Sequence, residues 1–171
     1  MQFKTDVGSS PPLFNCVVMW TPALGRVGKS MNLIVDIEDE FIPSKEYFLD
    51  SVDKKKKYGV VFEVNDETAY FYAVKMIKGT SNTDGILDAC HIYNVKDLKD
   101  GDTISTIKID WSANYQYALL FINEYVHAIF DFKHKQGYCR TGFPKLENKE
   151  SGWSKKDKFL DEKLLDQFRQ K

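Results

Sequence analysis

Large apolar side chains recur with a period of two along residues 58–74 and residues 115–132, and much of the second run is apolar on both faces. Each run is interrupted once, by Asn65-Asp66 in the first and by Asn123-Glu124 in the second. Alternation of this kind is typical of β-strands whose two faces differ in exposure. Asn and Asp tolerate the positive φ angles that a tight turn requires. The pattern therefore predicts two antiparallel hairpins.

Further strands are predicted on either side of these hairpins. Ile107, Ile109 and Trp111 share one face of a half-buried strand, and the β-branched run from residue 33 to residue 37 also favours a strand. Residues 86–95 fit either a short helix or a buried extended run. Several strands are apolar on both faces, so the sheet must be covered on both sides by a second sheet or by helices and the N-terminal segment.

The C-terminal residues predict a helix. Leu160, Leu164 and Phe168 recur at spacings of four, which places them on one helical face. Ser154 is the expected N-cap, with Asp157 at the third helical position. Together the elements predict an α+β fold, mainly an antiparallel β-sheet of five or more strands in hairpins, with a C-terminal helix.

The length and charge of the chain indicate a single, nearly neutral domain. The 171 residues, 43% of them hydrophobic, suit a single globular domain over residues 1–171, with residues 1–12 loosely held. The 24 Lys and Arg against 25 Asp and Glu leave a net charge of −1. We therefore expect no nucleic acid as a partner, and we interpret the lysines at 54–57 as a solvated loop that protects an edge strand.

Cysteine usage and hydropathy indicate the compartment. Cys16, Cys90 and Cys139 lack the spacing of a metal site or a redox motif, and their odd number suits free thiols in a reducing cytosol. The most apolar early segment, residues 13–20, is too short to span a membrane and lacks the features of a signal peptide. We expect a cytoplasmic protein that does not enter membranes.

The sequence contains possible catalytic and ligand-binding motifs, but the residues around each of them argue against that function. Residues 23–30 approximate a phosphate-binding loop, but Ala23 replaces the first glycine and a strand rather than a helix is predicted to follow. The three histidines have no partner at the spacing of metal ligands. His127 and Asp131 share a strand face about 13 Å apart, too far to act as a pair. We expect no catalytic residue, no metal and no cofactor.

Two sets of residues are candidates for binding. An acidic cluster ending in an aromatic residue has the composition of a partner-binding surface, because carboxylates steer a basic partner that apolar side chains then anchor. This cluster consists of Asp36, Glu38, Asp39, Glu40 and Phe41. The alternative is a pocket lined by His127, Tyr138, Cys139 and Arg140. A neighbouring arginine favours a reactive thiolate, although adjacent residues on an extended chain point to opposite faces.

Three stretches of the C-terminal two thirds of the chain, residues 58–73, 86–95 and 118–144, carry a family resemblance. They resemble a family of small uncharacterised bacterial proteins, domain of unknown function 2251. The residue sequences of these three stretches are specific to the family, but no chemical role is assigned to them. The first 55 residues do not match the family.

The resemblance implies a function only by class. Short cytosolic bacterial proteins of unassigned activity are often encoded beside a secreted toxin. We therefore expect a non-enzymatic protein-binding module, an immunity protein or antitoxin that occludes the active site of a cognate toxin effector acting in the cytosol. The alternative is a small enzyme or small-molecule-binding regulator with a pocket near Cys139 and Arg140.

Overall fold

The computed structural model describes residues 32–80, 82–144 and 152–170. These residues form two antiparallel sheets that share one core, a short 3₁₀ turn and an α-helix. The strands are β1 (Leu33–Phe41), β2 (Tyr47–Val52), β3 (Tyr58–Val64), β4 (Thr68–Met76), β5 (Thr83–Asn94), β6 (Ser105–Ser112), β7 (Tyr117–Ile122), β8 (Tyr125–Asp131) and β9 (Gln136–Cys139); the 3₁₀ turn is Val95–Asp97, and the helix is α1 (Glu162–Arg169). Cys16, residues 1–12, the apolar run 13–20 and the motif at 23–30 lie outside the described residues.

The two sheets pack face to face. One has the strand order β1-β6-β7-β8-β9 and the other β2-β3-β4-β5, with every neighbouring pair antiparallel. The largest fully buried side chains of the shared core include Phe62 and Phe71 from the four-stranded sheet and Ile109, Trp111 and Phe130 from the five-stranded sheet. This arrangement confirms the predicted antiparallel fold and supplies the second sheet that strands apolar on both faces require.

The two predicted hairpins are present, but their turns differ. Asn123 and Glu124 both have positive φ angles, 48° and 62°, as the prediction required. In the first hairpin Asn65 instead pairs with Thr68 through its backbone, so the turn is centred one residue later. The Asn65 side chain accepts hydrogen bonds from the N–H groups of Glu67 and Thr68 at 2.9 and 2.8 Å. This turn is therefore stabilised by a side-chain acceptor and not by a positive φ angle.

Residues 86–95 are extended for the most part, not helical. Most of them belong to β5, which pairs with β4, and the six residues from 88 to 93 are all buried. One face of this stretch meets the shared core. The chain that follows β9 runs along the edge of β5 that is not paired with β4, where the His91 N–H donates to the Phe143 carbonyl and the Lys158 ammonium donates to the Ala89 carbonyl. Burial on both faces removes the alternation by which a strand is normally recognised in a sequence.

The predicted start of the C-terminal helix was wrong. Asp161, not Ser154, is the N-cap of α1, and its side chain accepts the Leu164 N–H at 2.7 Å. Ser154 instead points its hydroxyl at the Asp88 carboxylate. The segment between Ser154 and Asp161 is extended and runs beside β9, where Cys139 N–H donates to the Lys158 carbonyl at 2.8 Å.

Helix α1 covers the outer face of the five-stranded sheet. Its buried residues Leu165 and Phe168 pack in a second cluster with Leu119 and Ile129. The Phe168 ring lies edge-on to Tyr117 at 5.5 Å between centroids. The helix is eight residues long and is held by this packing, because a helix so short is marginal by itself.

A buried ion pair ties the extended C-terminal segment to the four-stranded sheet. The Lys158 ammonium contacts the Asp88 carboxylate, and both side chains are 1% exposed. Lys158 also donates to the Ala89 carbonyl at 2.7 Å, and Ser154 donates to Asp88. A Cβ atom at Gly137 of β9 would clash with the Asp88 carboxylate, so glycine is needed where the two sheets approach the pair.

We expect Lys158→Met to lower the free energy of unfolding by about 3–5 kcal/mol, because it leaves the Asp88 carboxylate buried without a partner. Combining it with Asp88→Leu should recover most of this loss, since two apolar side chains need no countercharge. Chemical denaturation followed by tryptophan fluorescence measures both values. Lys75→Met, at the exposed pair Lys75–Asp84, is the control and should change stability little. Equal losses for Lys158→Met and Lys75→Met would contradict the assignment.

Candidate functional site

The predicted acidic cluster lies on β1, an edge strand of the five-stranded sheet. Asp36, Glu38, Asp39 and Glu40 are all exposed. Two of them are attached to the neighbouring strand β2: Asp36 accepts the Ser51 hydroxyl at 2.5 Å, and Asp39 accepts the Tyr47 hydroxyl at 2.9 Å. The cluster therefore provides a negatively charged edge, in which Glu38 and Glu40 have the freer carboxylates.

Phe41, predicted as the apolar anchor of this cluster, is not on the surface. It is 4% exposed and packs edge-on against Phe62 at 5.6 Å and against Tyr47 at 5.1 Å. The prediction was wrong because Phe41 faces the space between the sheets. The aromatic side chain exposed on the adjacent strand is Phe48, at 60%.

Phe48 begins a row of side chains across the outer face of the four-stranded sheet. The register pairs Phe48 with Glu63, Glu63 with Tyr70, and Tyr70 with His91. Phe143 extends the row, with its ring edge-on to His91 at 6.0 Å and 55% of the residue exposed. We call this surface the aromatic face; it consists of Phe48, Asp50, Glu63, Tyr70, Tyr72, His91 and Phe143.

The side chains of the aromatic face are held in place. Tyr70 and Tyr72 stack at 5.7 Å. The His91 N–H donates to the Phe143 carbonyl at 2.7 Å, and the Thr141 hydroxyl donates to the His91 carbonyl at 2.7 Å. Burial lowers the pKa of His91, against the opposing effect of its hydrogen bond with Asn94. The imidazole is therefore neutral at pH 7, and the charges of the face are carboxylates.

The residues predicted to line the alternative pocket do not share one surface. On β9, Tyr138 faces the outer side of the five-stranded sheet and contacts Phe168 at 5.4 Å, whereas Cys139 faces the core between the sheets. His127 is buried on the outer side, and Arg140 also lies there, below the start of α1. The predicted pocket is therefore wrong for a geometric reason, since neighbouring residues of a strand point to opposite faces.

Arg140 acts as a structural clamp. Its Nε donates to the Val126 carbonyl at 2.9 Å, and its Nη1 donates to the Leu160 carbonyl at 3.2 Å and contacts Glu162 at 2.7 Å. The guanidinium also lies over the Tyr125 ring at 4.4 Å. These contacts attach the first turn of α1 to β8 and leave the guanidinium pointing away from Cys139.

The Cys139 thiol donates to the Phe143 carbonyl at 3.4 Å and lies 3.5 Å from the Thr141 hydroxyl. The effect of the Cys90 thiol, opposed by burial, lowers the pKa of Cys139 to about 7, whereas burial raises the pKa of Cys90. Both residues are 0% exposed. A thiolate at Cys139 is therefore not accessible to a substrate, and packing explains its position.

Comparison with known proteins identifies the family. A family described as uncharacterised proteins conserved in bacteria, domain of unknown function 2251, matches residues 41–169. The chain belongs to this family. An uncharacterised protein of Haemophilus influenzae is 38% identical over 87 residues, which are 51% of this chain and 52% of that protein. The match thus spans about half the length of that relative, and no solved structure matches the chain.

The family match covers the whole aromatic face but, of the acidic cluster, only its last residue, Phe41. Residues 36–40 precede the matched region. The aromatic face is therefore built from family residues, whereas the acidic edge beside it is not. Within the described ranges, no helix is long and apolar enough to cross a membrane.

One carboxylate–imidazole contact was missed by the sequence analysis. The His134 Nδ1 atom lies 2.8 Å from Oδ2 of Asp131, whose Oδ1 accepts the His134 N–H at 2.9 Å. Asp131 is buried, whereas the His134 side chain is 60% exposed beside a cleft of about 260 Å³. The signal was an Asp at the end of a strand three residues before a His, whereas the prediction compared Asp131 with His127.

His127 predicts a pH dependence of stability. Burial, and then the Arg140 charge, lower its pKa to about 3. Between pH 6.5 and pH 3 the unfolded chain binds a proton at this residue that the folded chain excludes, so stability falls as pH falls. From pH 8 to pH 5 we expect wild type to lose about 2 kcal/mol more than His127→Gln. Urea denaturation at both pH values measures the difference, and parallel losses would contradict the assignment.

Proposed function

We propose that this protein is a non-enzymatic protein-binding module of the immunity-protein class, which neutralises a toxin effector in the cytosol by occluding its active site. The observation that supports the proposal is the aromatic face, in which Phe48 on β2 is 60% exposed and Phe143, in the segment that follows β9, is 55% exposed. Large apolar side chains are costly to leave in water without a role, and contiguous exposed groups of them mark interaction sites.

The composition of the face suits a protein interface. Aromatic residues carry most of the energy in such interfaces, and charges at the rim set orientation and association rate. Here the rings of Phe48, Tyr70 and Tyr72 alternate with the carboxylates of Asp50 and Glu63. The backbone of Glu63, Tyr70 and Tyr72 is paired on both sides in the interior strands β3 and β4, and Phe48 and Asp50 lie on the edge strand β2, which is paired with β3. Docking on a backbone that is already paired requires little ordering of the chain.

Charge indicates the kind of partner surface. The acidic edge formed by β1 lies beside β2, to which Asp39 is attached through the Tyr47 hydroxyl. Phe48 of the aromatic face follows Tyr47 on the opposite side of β2. A partner with a cationic surface around an apolar centre would complement both. A toxin whose substrate site is cationic presents such a surface, and a module docked on it blocks substrate access.

The second candidate is a small-molecule-binding regulator or enzyme. The Asp131–His134 pair favours it, because a buried carboxylate that orients an exposed imidazole beside a cleft is the arrangement of a general base. For this candidate the binding site is the cleft beside Tyr138, and not the pocket near Cys139 and Arg140 that the sequence analysis predicted. A rise in melting temperature with a metabolite, abolished by His134→Ala, would favour this candidate.

Growth rescue tests the proposed function. We expect expression of the toxin encoded beside this gene to arrest growth and co-expression of this chain to restore it. Phe48→Asp should lose the rescue, because it replaces an exposed ring of the aromatic face with a carboxylate. Ile104→Asp is the matched control: Ile104 is 62% exposed, lies outside the aromatic face and should retain rescue. Rescue by Phe48→Asp at wild-type protein level, or neighbouring genes that never arrest growth, would refute the proposal.

A further inference from the structure

Three turns that are far apart in the sequence meet at one end of the molecule and carry eight exposed lysines. Phe132 joins the turns, with its ring 4.9 Å from Tyr58 and 5.4 Å from Trp153. The Ser154 N–H donates to the Lys135 carbonyl at 2.9 Å. We call these eight residues the lysine cluster: Lys54, Lys55, Lys56, Lys57, Lys133, Lys135, Lys155 and Lys156.

The carboxylates within the same turns are mostly directed inward. Asp53 is 5% exposed and accepts the Lys57 N–H at 2.8 Å. Asp131 is 2% exposed and is paired with His134. Asp157 is exposed but accepts the Phe159 N–H at 3.1 Å. In the part of the chain that the structure describes, no lysine of the cluster forms an ion pair, so their charges add.

Carboxylates collect at the opposite end of the two sheets. Successive hairpin turns alternate between the two ends, and there the Ser44 N–H donates to the Gly101 carbonyl and the Val95 N–H to the Glu67 carbonyl. The exposed acids of these turns are Glu46, Asp66, Glu67, Asp97, Asp100 and Asp102, beside Lys45, Lys96 and Lys99. The net charge of −1 therefore conceals a separation of charge along the molecule.

The lysine cluster also contains a cleft and half-buried tyrosines. The cleft of about 260 Å³ is lined by Lys135, Lys155, Lys156, His134 and Tyr138, among others. This volume is below the range of about 300–1,000 Å³ that drug-sized ligands occupy, and it suits one small unit of a longer ligand. Tyr58 and Tyr115 are not part of the cleft lining; they pack against the shared core, under Lys57 at 4.9 Å and Lys54 at 5.7 Å.

We propose that the lysine cluster binds the phosphate backbone of a single-stranded nucleic acid. Lysines distributed over three turns match a chain of phosphates better than one small anion, and the cleft that Lys135, Lys155 and Lys156 line has room for one unpaired base of a single strand. The described residues of the three turns expose no large apolar side chain, which a membrane-inserting surface would need. This inference is independent of the proposed function. It replaces the expectation, drawn from the net charge, that the protein has no nucleic acid as a partner.

Fluorescence anisotropy with a labelled 20-nucleotide poly(U) RNA tests the proposal. Contacts with four phosphates predict that affinity falls about 50-fold between 50 and 200 mM salt. The triple variant Lys54→Ala, Lys133→Ala, Lys155→Ala should weaken binding more than tenfold at 50 mM salt. The triple variant Lys45→Ala, Lys96→Ala, Lys99→Ala removes the same charge from the opposite end and should bind as wild type. Melting temperatures of both variants confirm that they are folded.

Three results would overturn the assignment. The first is no binding of the RNA by wild type at 50 mM salt. The second is equal weakening by the two triple variants, which would make total charge and not the cluster responsible. The third is sedimentation of the protein with phosphatidylglycerol vesicles when the RNA does not bind, which would assign the cluster to a membrane surface.

Discussion

The contact between Lys158 and Asp88 determines how the parts of this molecule fit together. An ammonium group and a carboxylate that are both 1% exposed must remain paired, because either one alone in the core costs several kcal/mol. The pair holds the segment before α1 between β5 and β9, and it leaves no space for a side chain at Gly137. The position of α1 on the outer face follows, because the segment that leads to it is already fixed.

Local patterns predicted most of the sheet structure and failed where tertiary contacts decide. The hairpin at Asn123-Glu124 was predicted because its turn needs two residues that accept positive φ, and the strands beside it alternate. The start of α1 was missed because serine is a common N-cap residue, whereas the Ser154 hydroxyl in fact donates a hydrogen bond to the Asp88 carboxylate. Residues 86–95 stayed ambiguous because a strand covered on both faces has no polar alternation.

The candidate surfaces were harder to predict than the strands. Phe41 and Phe48 are both aromatic residues in strands, and which of them is exposed depends on how two sheets stack. Lysines at 54–57 were interpreted as an isolated loop because the positions of Lys133 and Lys155 in space are not visible in the sequence. The opposite directions of Cys139 and Arg140 were predictable, since they follow from strand geometry alone.

The separation of lysines and carboxylates also affects how copies of the chain meet. The basic end of one molecule attracts the acidic end of another, although the net charge of −1 would suggest almost no electrostatic force between copies. Salt at about 0.15 M, with a screening length near 8 Å, weakens this attraction.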